Sequence, residues 1–411
     1  MTDMPVSVIV VSRGRPQALQ RCLTGLAQLQ CAQFEIVVVA DPQGIATAEV
    51  LPFAAALKFV PFDEPNISAA RNIGLCHAAG DVVAFIDDDA VPEPYWLALL
   101  AAPFGQSAVA ASGGYVRARN GISFQWKARS LDGFGAPQPL GINPTCATVL
   151  HPPKGNAVKT EGTNMAFRRS VLVEIGGFDP AYHYFLDETD VNMRLAQAGH
   201  ATALVPLAEV HHGFAENKLR SAARVPRDLF DIGASWAVFQ RKHIRPDAQA
   251  GHWQSLRKAE HDRLLAHLIS GGLEPRDVTR LAQRLDRGYD EGRARPLAHT
   301  ALPRQPATPF LTFPSQSRKT SHIATRPIHL RKDRMRAAAR VKNGEIVTLF
   351  DFSATALFHH VCFGLDGVWL QRGGLFGKSD RDQAIIRLHS RIRRVELERG
   401  RVATQRGFSH E

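Results

Sequence analysis

Between Gly80 and Trp96 the chain reads GDVVAFIDDDAVPEPYW, in which an apolar run from Val82 to Ile86 ends on three successive carboxylates, Asp87, Asp88 and Asp89. Nothing in the preceding run neutralises them. Hard divalent cations such as Mg²⁺ and Mn²⁺ choose carboxylate oxygens, and commonly take one or two of them together with substrate phosphates. In extended backbone, residues two apart point to the same side, so Asp87 and Asp89 can share one ion. Such an ion neutralises a departing diphosphate, the demanding part of a displacement reaction. A solvated acidic loop is the competing reading. Two other groups stand out as chemistry-bearing: the acids Asp187, Glu188 and Asp190, and the adjacent His211 and His212.

The surrounding elements bear on the choice. VSVIVV is a short β-branched run, and the stretch after it places Leu19, Cys22, Leu23, Leu26 and Leu29 at helical spacing. FEIVVVA, LKFVPF and DVVAFI read as further strands. NISAARNIGLCHAAG reads as a helix, capped by Asn66 or Ser68 and stopped at Gly80. Strands alternating with helices imply an α/β fold whose mostly parallel sheet is flanked by helices on both faces. Ligands of such sheets bind at the carboxyl ends of the strands, where Asp41 and Asp87 to Asp89 fall. Farther on, AVAASGGYVRA and ATALVPLAEVHHG are expected strands, the second ending on the paired histidines. DETDVNMRLAQAGH is an expected helix, whose N-terminus favours acids electrostatically whatever their chemical role. Residues 118–160 are rich in Gly and Pro and are expected as loops over the site.

The expected organisation is a catalytic domain over 1–215, a helical extension over 216–295, a basic Pro-containing linker over 296–342, and a small α+β module over 343–411. In that module Asp366-Gly367 is a hairpin-turn signal, and Ile385, Leu388, Ile392 and Val395 are expected on one helix face.

Composition narrows the function classes. A chain of 411 residues with 45% hydrophobic and 22% charged residues is ordinary for a globular protein. Five scattered cysteines without metal-ligand spacing read as reduced thiols, and the start of the chain lacks the features of a secretory leader. No apolar run approaches the ~18 residues of a membrane span. The expected location is therefore cytoplasmic, with peripheral attachment to the inner face of the plasma membrane as an extension. Residues 1–212 carry 14 Lys+Arg against 19 Asp+Glu, and residues 213–411 carry 36 against 20, so balances of −5 and +16 make up the net +11. The basic half suits an anionic partner such as a membrane surface, a pyrophosphate-linked acceptor or an acidic glycan; ordinary solubilising charge is the alternative. The basic run lacks interleaved aromatic residues and shows no recognised nucleic-acid motif, so no nucleic acid is expected.

VSVIVVSRGRPQALQRCL, FEIVVVADP, EPNISAARNIGLCHAAGDVVAFIDDDAVPEPYWL, EGTNMAFRRSVLVEIGGFDPAYHYFLDETDVNMRLAQAGH and VHHG occur in that order. Together they resemble a family 2 glycosyltransferase of the bacterial polysaccharide type over roughly residues 5–215. The resemblance implies a GT-A nucleotide-diphospho-sugar transferase fold, a nucleotide-sugar donor, a glycan or lipid-linked acceptor, and a divalent cation, Mn²⁺ or Mg²⁺. It puts Ser12 and Arg13 at the nucleotide and Asp41 at base or ribose. Ala40 stands where the family usually has the first acid of a pair. Arg71 would face nucleotide or diphosphate, Asp87 ribose and metal, and Asp89 the metal as principal ligand. Asp88 falls with the nucleotide-binding group, although its place between the two suggests a structural part. Gly162, Thr163 and Asn164 would line the donor-sugar pocket. His211 or His212 would reach the metal or diphosphate.

Inverting transfer further requires a carboxylate that takes the acceptor hydroxyl's proton. The family's Glu-Asp pair is reversed here to Asp187-Glu188, so position assigns the base to Glu188, with Asp187 next and Asp190 third. The resulting expectation is an inverting, metal-dependent transferase in surface or exported polysaccharide synthesis; the alternative is an inactive nucleotide-binding scaffold subunit.

Overall fold

The β-branched runs form the centre of the molecule: β1 (Val6–Ser12), β2 (Phe34–Ala40), β3 (Leu57–Pro61) and β4 (Val82–Asp87), lying parallel in the order 3-2-1-4. The computed structural model describes residues 4–213, 216, 218–297, 301–380 and 382–408. Helices α1 (Pro16–Leu26), α2 (Pro42–Glu49) and α3 (Ile67–His77) return the chain between strands. Val8, Val10, Ile36 and Val38 pack under Leu19 and Leu23 of α1, while Ile9, Val37, Val39 and Phe85 face Ala70 and Leu75 of α3. Burial on both faces is why these strands read as continuous apolar runs rather than alternating ones.

The sheet then becomes mixed. After β5 (Ala90–Pro92) and α4 (Trp96–Ala101) comes β6 (Val109–Arg117). The stretch expected as loops also carries short strands: β7 (Phe124–Trp126), β8 (Arg129–Leu131), β9 (Pro137–Pro139), β10 (Thr148–Leu150) and β11 (Ala157–Lys159). β12 (Met165–Arg168) inserts antiparallel between β4 and β6, followed by α5 (Arg169–Glu174) and α6 (Asp187–Gln197). β13 (Ala201–His212) runs parallel to β6, so the path is β10-β13-β6-β12-β4-β1-β2-β3, with β5 on β13 and β7 on β6. This is the expected α/β architecture, with the carboxyl ends of β1, β4 and β13 gathered along one edge.

Helices α7 (Phe230–His243), α8 (Pro246–Ile269) and α9 (Pro275–Ala294) occupy the stretch expected as a helical extension. Gly288 lets α9 approach α7 closely, since a Cβ there would fall 1.9 Å from the Phe230 carbonyl oxygen. The expected domain boundary at residue 215 lies outside the described residues.

The stretch expected as a basic linker divides in two. Its first part lies on the catalytic domain: the Ala307 amide donates to the Cys76 carbonyl, that of Phe313 to the Phe34 carbonyl, and the Phe313 ring stacks on Phe34 at 5.1 Å. Its second part is regular structure, β14 (Thr320–Thr325) and α10 (Leu330–Lys342), which joins β15 (Ile346–Ser353), β16 (His360–Phe363) and β17 (Trp369–Gly374) in a four-stranded sheet. The basic run misled because it is the solvent face of α10: Arg331, Lys332 and Arg336 are exposed, while Ala337 is buried against the sheet. Asp366-Gly367 makes the expected turn, with Gly367 at φ +74°. The chain closes with α11 (Arg391–Arg401) and α12 (Ala403–Arg406). Here a second expectation fails: Ile385 and Leu388 precede α11 and are exposed, as is Ile392, and the helix buries Arg394, Val395 and Glu398 instead. The Ser390 side chain accepts from the Arg393 amide and sets the helix start beyond both residues.

Candidate active site

The end of β4 brings Asp87 and Asp89 beside His212, the last residue of β13. Each offers one ligand atom, and these atoms lie within 4.8 Å of one another. His212 Nε2 is 3.1 Å from Asp89 Oδ1, and its Nδ1 is 2.9 Å from Gln125 Oε1. With Nδ1–H donating to that amide oxygen, the Nε2 lone pair faces a carboxylate. Two acceptors so placed call for a proton or a metal ion between them. Two carboxylates and an imidazole thus fit a divalent cation.

Strand alternation settles the choice between the two histidines. His211 points to the opposite face of β13, where its Nε2 meets Glu93 Oε1 at 2.8 Å and its ring lies against Trp369. The expectation of His211 as a metal ligand is therefore corrected; it belongs to the packing of the C-terminal unit.

Asp88, fully buried, points away from Asp87 and Asp89. Ser12 Oγ donates to its Oδ2 at 2.6 Å, and Arg15 Nη2 lies 2.5 Å from its Oδ1. Burial pushes Asp88 up to about 7 against the pull of Arg15. Asp88 and Ser12 thus anchor the loop after β1, and neither faces the cleft. Arg15 does face it, and also approaches Asp89 Oδ2 at 3.4 Å. Arg13, expected at the nucleotide, instead turns outward to Asp63 at 2.8 Å. Asp41 uses both oxygens on backbone amides, those of Gly14 and Gly44, each at 2.9 Å, and so fixes the same loop to α2.

Arg71 of α3 is buried and joins the two acidic groups. It pairs with Asp187, approaches Asp87 Oδ1 at 3.4 Å, and donates to the Gly162 carbonyl at 3.1 Å. A Cβ on Gly162 would sit 2.8 Å from Arg71 Nη2, so glycine leaves room for the guanidinium. Thr163, beside it, lines the cleft with a buried hydroxyl that has no partner among the described residues. Asn164 does not reach the cleft. Its amide accepts from Trp96 Nε1 and donates to the carbonyls of Tyr115 and Ala208, so its expected place in the donor pocket is corrected to a tie between α4, β6 and β13.

Across the cleft, α6 starts after two left-handed residues, Phe185 (φ +71°) and Leu186 (φ +66°). Asp187 is held by Arg71, and its side chain is 4% exposed. Burial pushes it up to about 7 against the pull of Arg71. Glu188 is more open, at 17%, and pairs with Lys159 at the end of β11. Burial would raise Glu188, but Lys159 outweighs it and holds the carboxyl down at about 2. Asp190 is corrected. Helical geometry puts it about 160° around the axis from Glu188, where Arg194, Lys242 and His243 surround it at 2.7–2.8 Å. It holds α7 to α6 and does not line the cleft.

The cleft has a volume of about 930 Å³ and takes in Arg15, Arg71, Asp87, Asp89, Glu188 and His212. Arg15, Lys159 and Gln125 were not anticipated from sequence. A larger cavity of about 1280 Å³ lies at the amino ends of the strands, around Gly80 and Arg169, far from these acids in the fold.

The open α/β sheet thus carries an acid pair suited to a cation at its carboxyl edge and a carboxylate facing it across the cleft. Residues 7–176 match Glycosyl transferase family 2, and the mixed sheet flanked by helices is of the GT-A kind. The pre-mycofactocin glycosyltransferase of Mycobacterium tuberculosis is 28% identical over 60% of this chain and 49% of its own length. The glucosyl-dolichyl phosphate glucuronosyltransferase of Haloferax volcanii is 34% identical over 28% of this chain and 34% of its own. The crystal structure of GalNAc-T7 with UDP, GalNAc and Mn²⁺ is similar at TM-score 0.44 and 17% identity, covering 58% of this chain and 48% of that one. The chain thus spans about half the length of the first of these relatives. Among the described residues no helix is long and apolar enough to cross a membrane.

Proposed function

We propose that the cleft transfers a sugar from a nucleotide-diphosphate donor to a hydroxyl of a glycan or lipid-linked acceptor, with inversion and with a divalent cation. The observation that carries this reading is the placement of Asp87, Asp89 and His212 on one side of the cleft and Glu188 on the other, with Arg71 between. Glu188 takes the proton of the acceptor hydroxyl as that oxygen bonds to the anomeric carbon. The bond from that carbon to the diphosphate oxygen breaks, and its electron pair leaves with the nucleotide. Arg15 and Arg71 supply fixed positive charge where the diphosphate gathers negative charge, which is worth most in a site already organised for it. A cation held by Asp87, Asp89 and His212 would supply the remaining charge. The imidazole in that set favours Mn²⁺ over Mg²⁺.

Glu188 suits the base position better than Asp187 because it is more open to the cleft and is not locked to Arg71. The name of the Haloferax relative, which specifies a glucosyl-dolichyl phosphate acceptor, supports a lipid-linked acceptor here. In this reading the chain adds one sugar at the cytoplasmic membrane face during surface or exported polysaccharide assembly. The exposed cations of α10 would contribute ~1 kcal/mol each toward an anionic bilayer.

The test is thermal stabilisation by UDP, GDP, dTDP and CDP with and without Mn²⁺, followed by turnover with the sugar donors of whichever binds. One nucleotide should stabilise only with metal, by about 2.7 kcal/mol at 100 times its Kd, and lose that effect in Asp89→Ala. Glu188→Gln should keep the stabilisation and lose transfer by ~10²-fold or more. No response to any nucleotide would overturn the reading and leave the inactive scaffold.

A further inference from the structure

The C-terminal sheet has its own strand-end cavity. β14, β15 and β17 run parallel, and the register sets Asp351 of β15 directly beside Arg372 of β17, near the carboxyl ends of both. There a cavity of about 720 Å³ opens, lined by Pro327, Asp351, Ser353, Leu357, Phe358 and Arg372 among others. It shares no lining residue with the cleft.

Its floor is chemically unfinished. Asp351 is 4% exposed. Its Oδ2 accepts from Arg372 Nε at 3.1 Å, while its Oδ1 is buried with no hydrogen-bond partner among the described residues. A buried acceptor without a donor is costly and rare. The wall above it is apolar, and Leu357 and Phe358 stay 62% and 61% exposed although they form part of a concave surface. An apolar cavity with a few convergent polar groups, at the carboxyl ends of parallel strands, is where α/β sheets hold ligands.

We infer that this cavity is a second binding site, built for a carbohydrate and separate from the cleft. The chemistry selects the class by elimination. An anion would meet the unpaired oxygen of Asp351. A hydrocarbon tail would leave that oxygen unsatisfied, and a cation would face Arg372. A sugar answers all three features: a hydroxyl donates to Asp351 Oδ1, another oxygen accepts from Arg372, and the C–H face of the ring lies on Phe358 and Leu357. In a chain whose cleft faces elsewhere, such a site would grip a glycan at a distance from any bond being made. The inference does not depend on transfer in the cleft.

The test uses the full chain and saturation-transfer NMR with a panel of methyl glycosides of glucose, galactose, mannose, rhamnose and N-acetylglucosamine. At least one should bind in wild type and in Asp89→Asn, with excess nucleotide and Mn²⁺ present. Its affinity should fall roughly tenfold, the worth of one good hydrogen bond, in Asp351→Asn, which keeps the shape of the side chain. Phe358→Ala, at an exposed position, should weaken it as well. The inference is overturned if no glycoside binds, if binding is unchanged in both variants, or if it is lost in Asp89→Asn alone, which would put the sugar in the cleft.

Discussion

Replacing Lys159 by methionine removes the cation paired with Glu188 while preserving most of the side chain's bulk. Glu188 is held at about 2 against an ordinary 4.5. That difference, at about 1.4 kcal/mol per pH unit, is roughly 3 kcal/mol of stability at neutral pH. The carboxylate is 17% exposed and interacts with Asp187, so ~2–3 kcal/mol is the better figure. The sign comes from linkage. A carboxyl whose folded pKa is depressed contributes stability that is fully present above its unfolded value, near 4.5, and is lost as pH falls toward about 2. In Lys159→Met the largest counterweight to burial is gone and only Arg71 and a backbone hydrogen bond still oppose it, so Glu188 rises and the wild-type advantage should be largest at neutral pH and narrow as the solution is acidified. In a chain of this size the neutral-pH gap is about 3 °C in Tm. Thermal unfolding of both proteins from pH 7 to pH 3.5 reads it without any substrate. The same rise should move the acid limb of kcat/KM to higher pH than in the wild type. A Tm gap that is constant across the pH range would refute the assignment of Lys159 as the group that keeps Glu188 ionised.

Further substitutions separate the site from its supports. His212→Ala should abolish Mn²⁺-dependent stabilisation by nucleotide, whereas His211→Ala should lower Tm modestly and leave that metal effect intact; equal loss in both would contradict the division made by strand alternation. Arg406→Met should destabilise the chain by ~3–5 kcal/mol in urea unfolding, because it leaves Glu93 buried without its cation. Burial favours raising Glu93, Arg406 holds it at about 2, and the deficit should therefore shrink as pH falls below about 4.5. Glu93→Leu in the Arg406→Met background should recover most of it, and no recovery would show that Arg406 acts through other contacts.

The sheet edge and its acids were legible because both depend on local pattern: β-branched runs fix the strands, and a strand's end fixes where Asp87 and Asp89 point. The residues that were missed depend on where the chain goes next. Gly14, at φ +68°, bends the loop after β1 so that Arg13 leaves for Asp63 and Arg15 returns to Asp88 and Asp89. No spacing rule separates two arginines on either side of such a glycine. Lys159 lies on a three-residue strand inside a Gly- and Pro-rich stretch, and its partner is 29 residues away. Asn164 looked like a pocket residue because its neighbours are, yet β12 begins one residue later and turns its amide into the interior.

The reversed acid pair shows how backbone geometry assigns chemistry to residues of the same type. Phe185 and Leu186 are both left-handed and neither is glycine, a conformation that costs ~1–3 kcal/mol per residue and persists only where packing enforces it. Here Leu186 is buried in the cluster formed by Tyr182 and Trp236, and the Phe185 ring lies edge-on to Trp236 at 5.9 Å. The strained turn fixes the rotation at which α6 begins. From that start, Asp187 faces α3 and Arg71, Glu188 faces the cleft, and Asp190 faces α7. A change of one residue in the helix start would turn each carboxylate by about 100°, taking Glu188 away from the cleft. The directions of these three carboxylates thus account for the two unfavourable dihedrals. Three acids within four positions can have three different partners only if the helix is indexed from a point that the packing around Trp236 does not allow to slip.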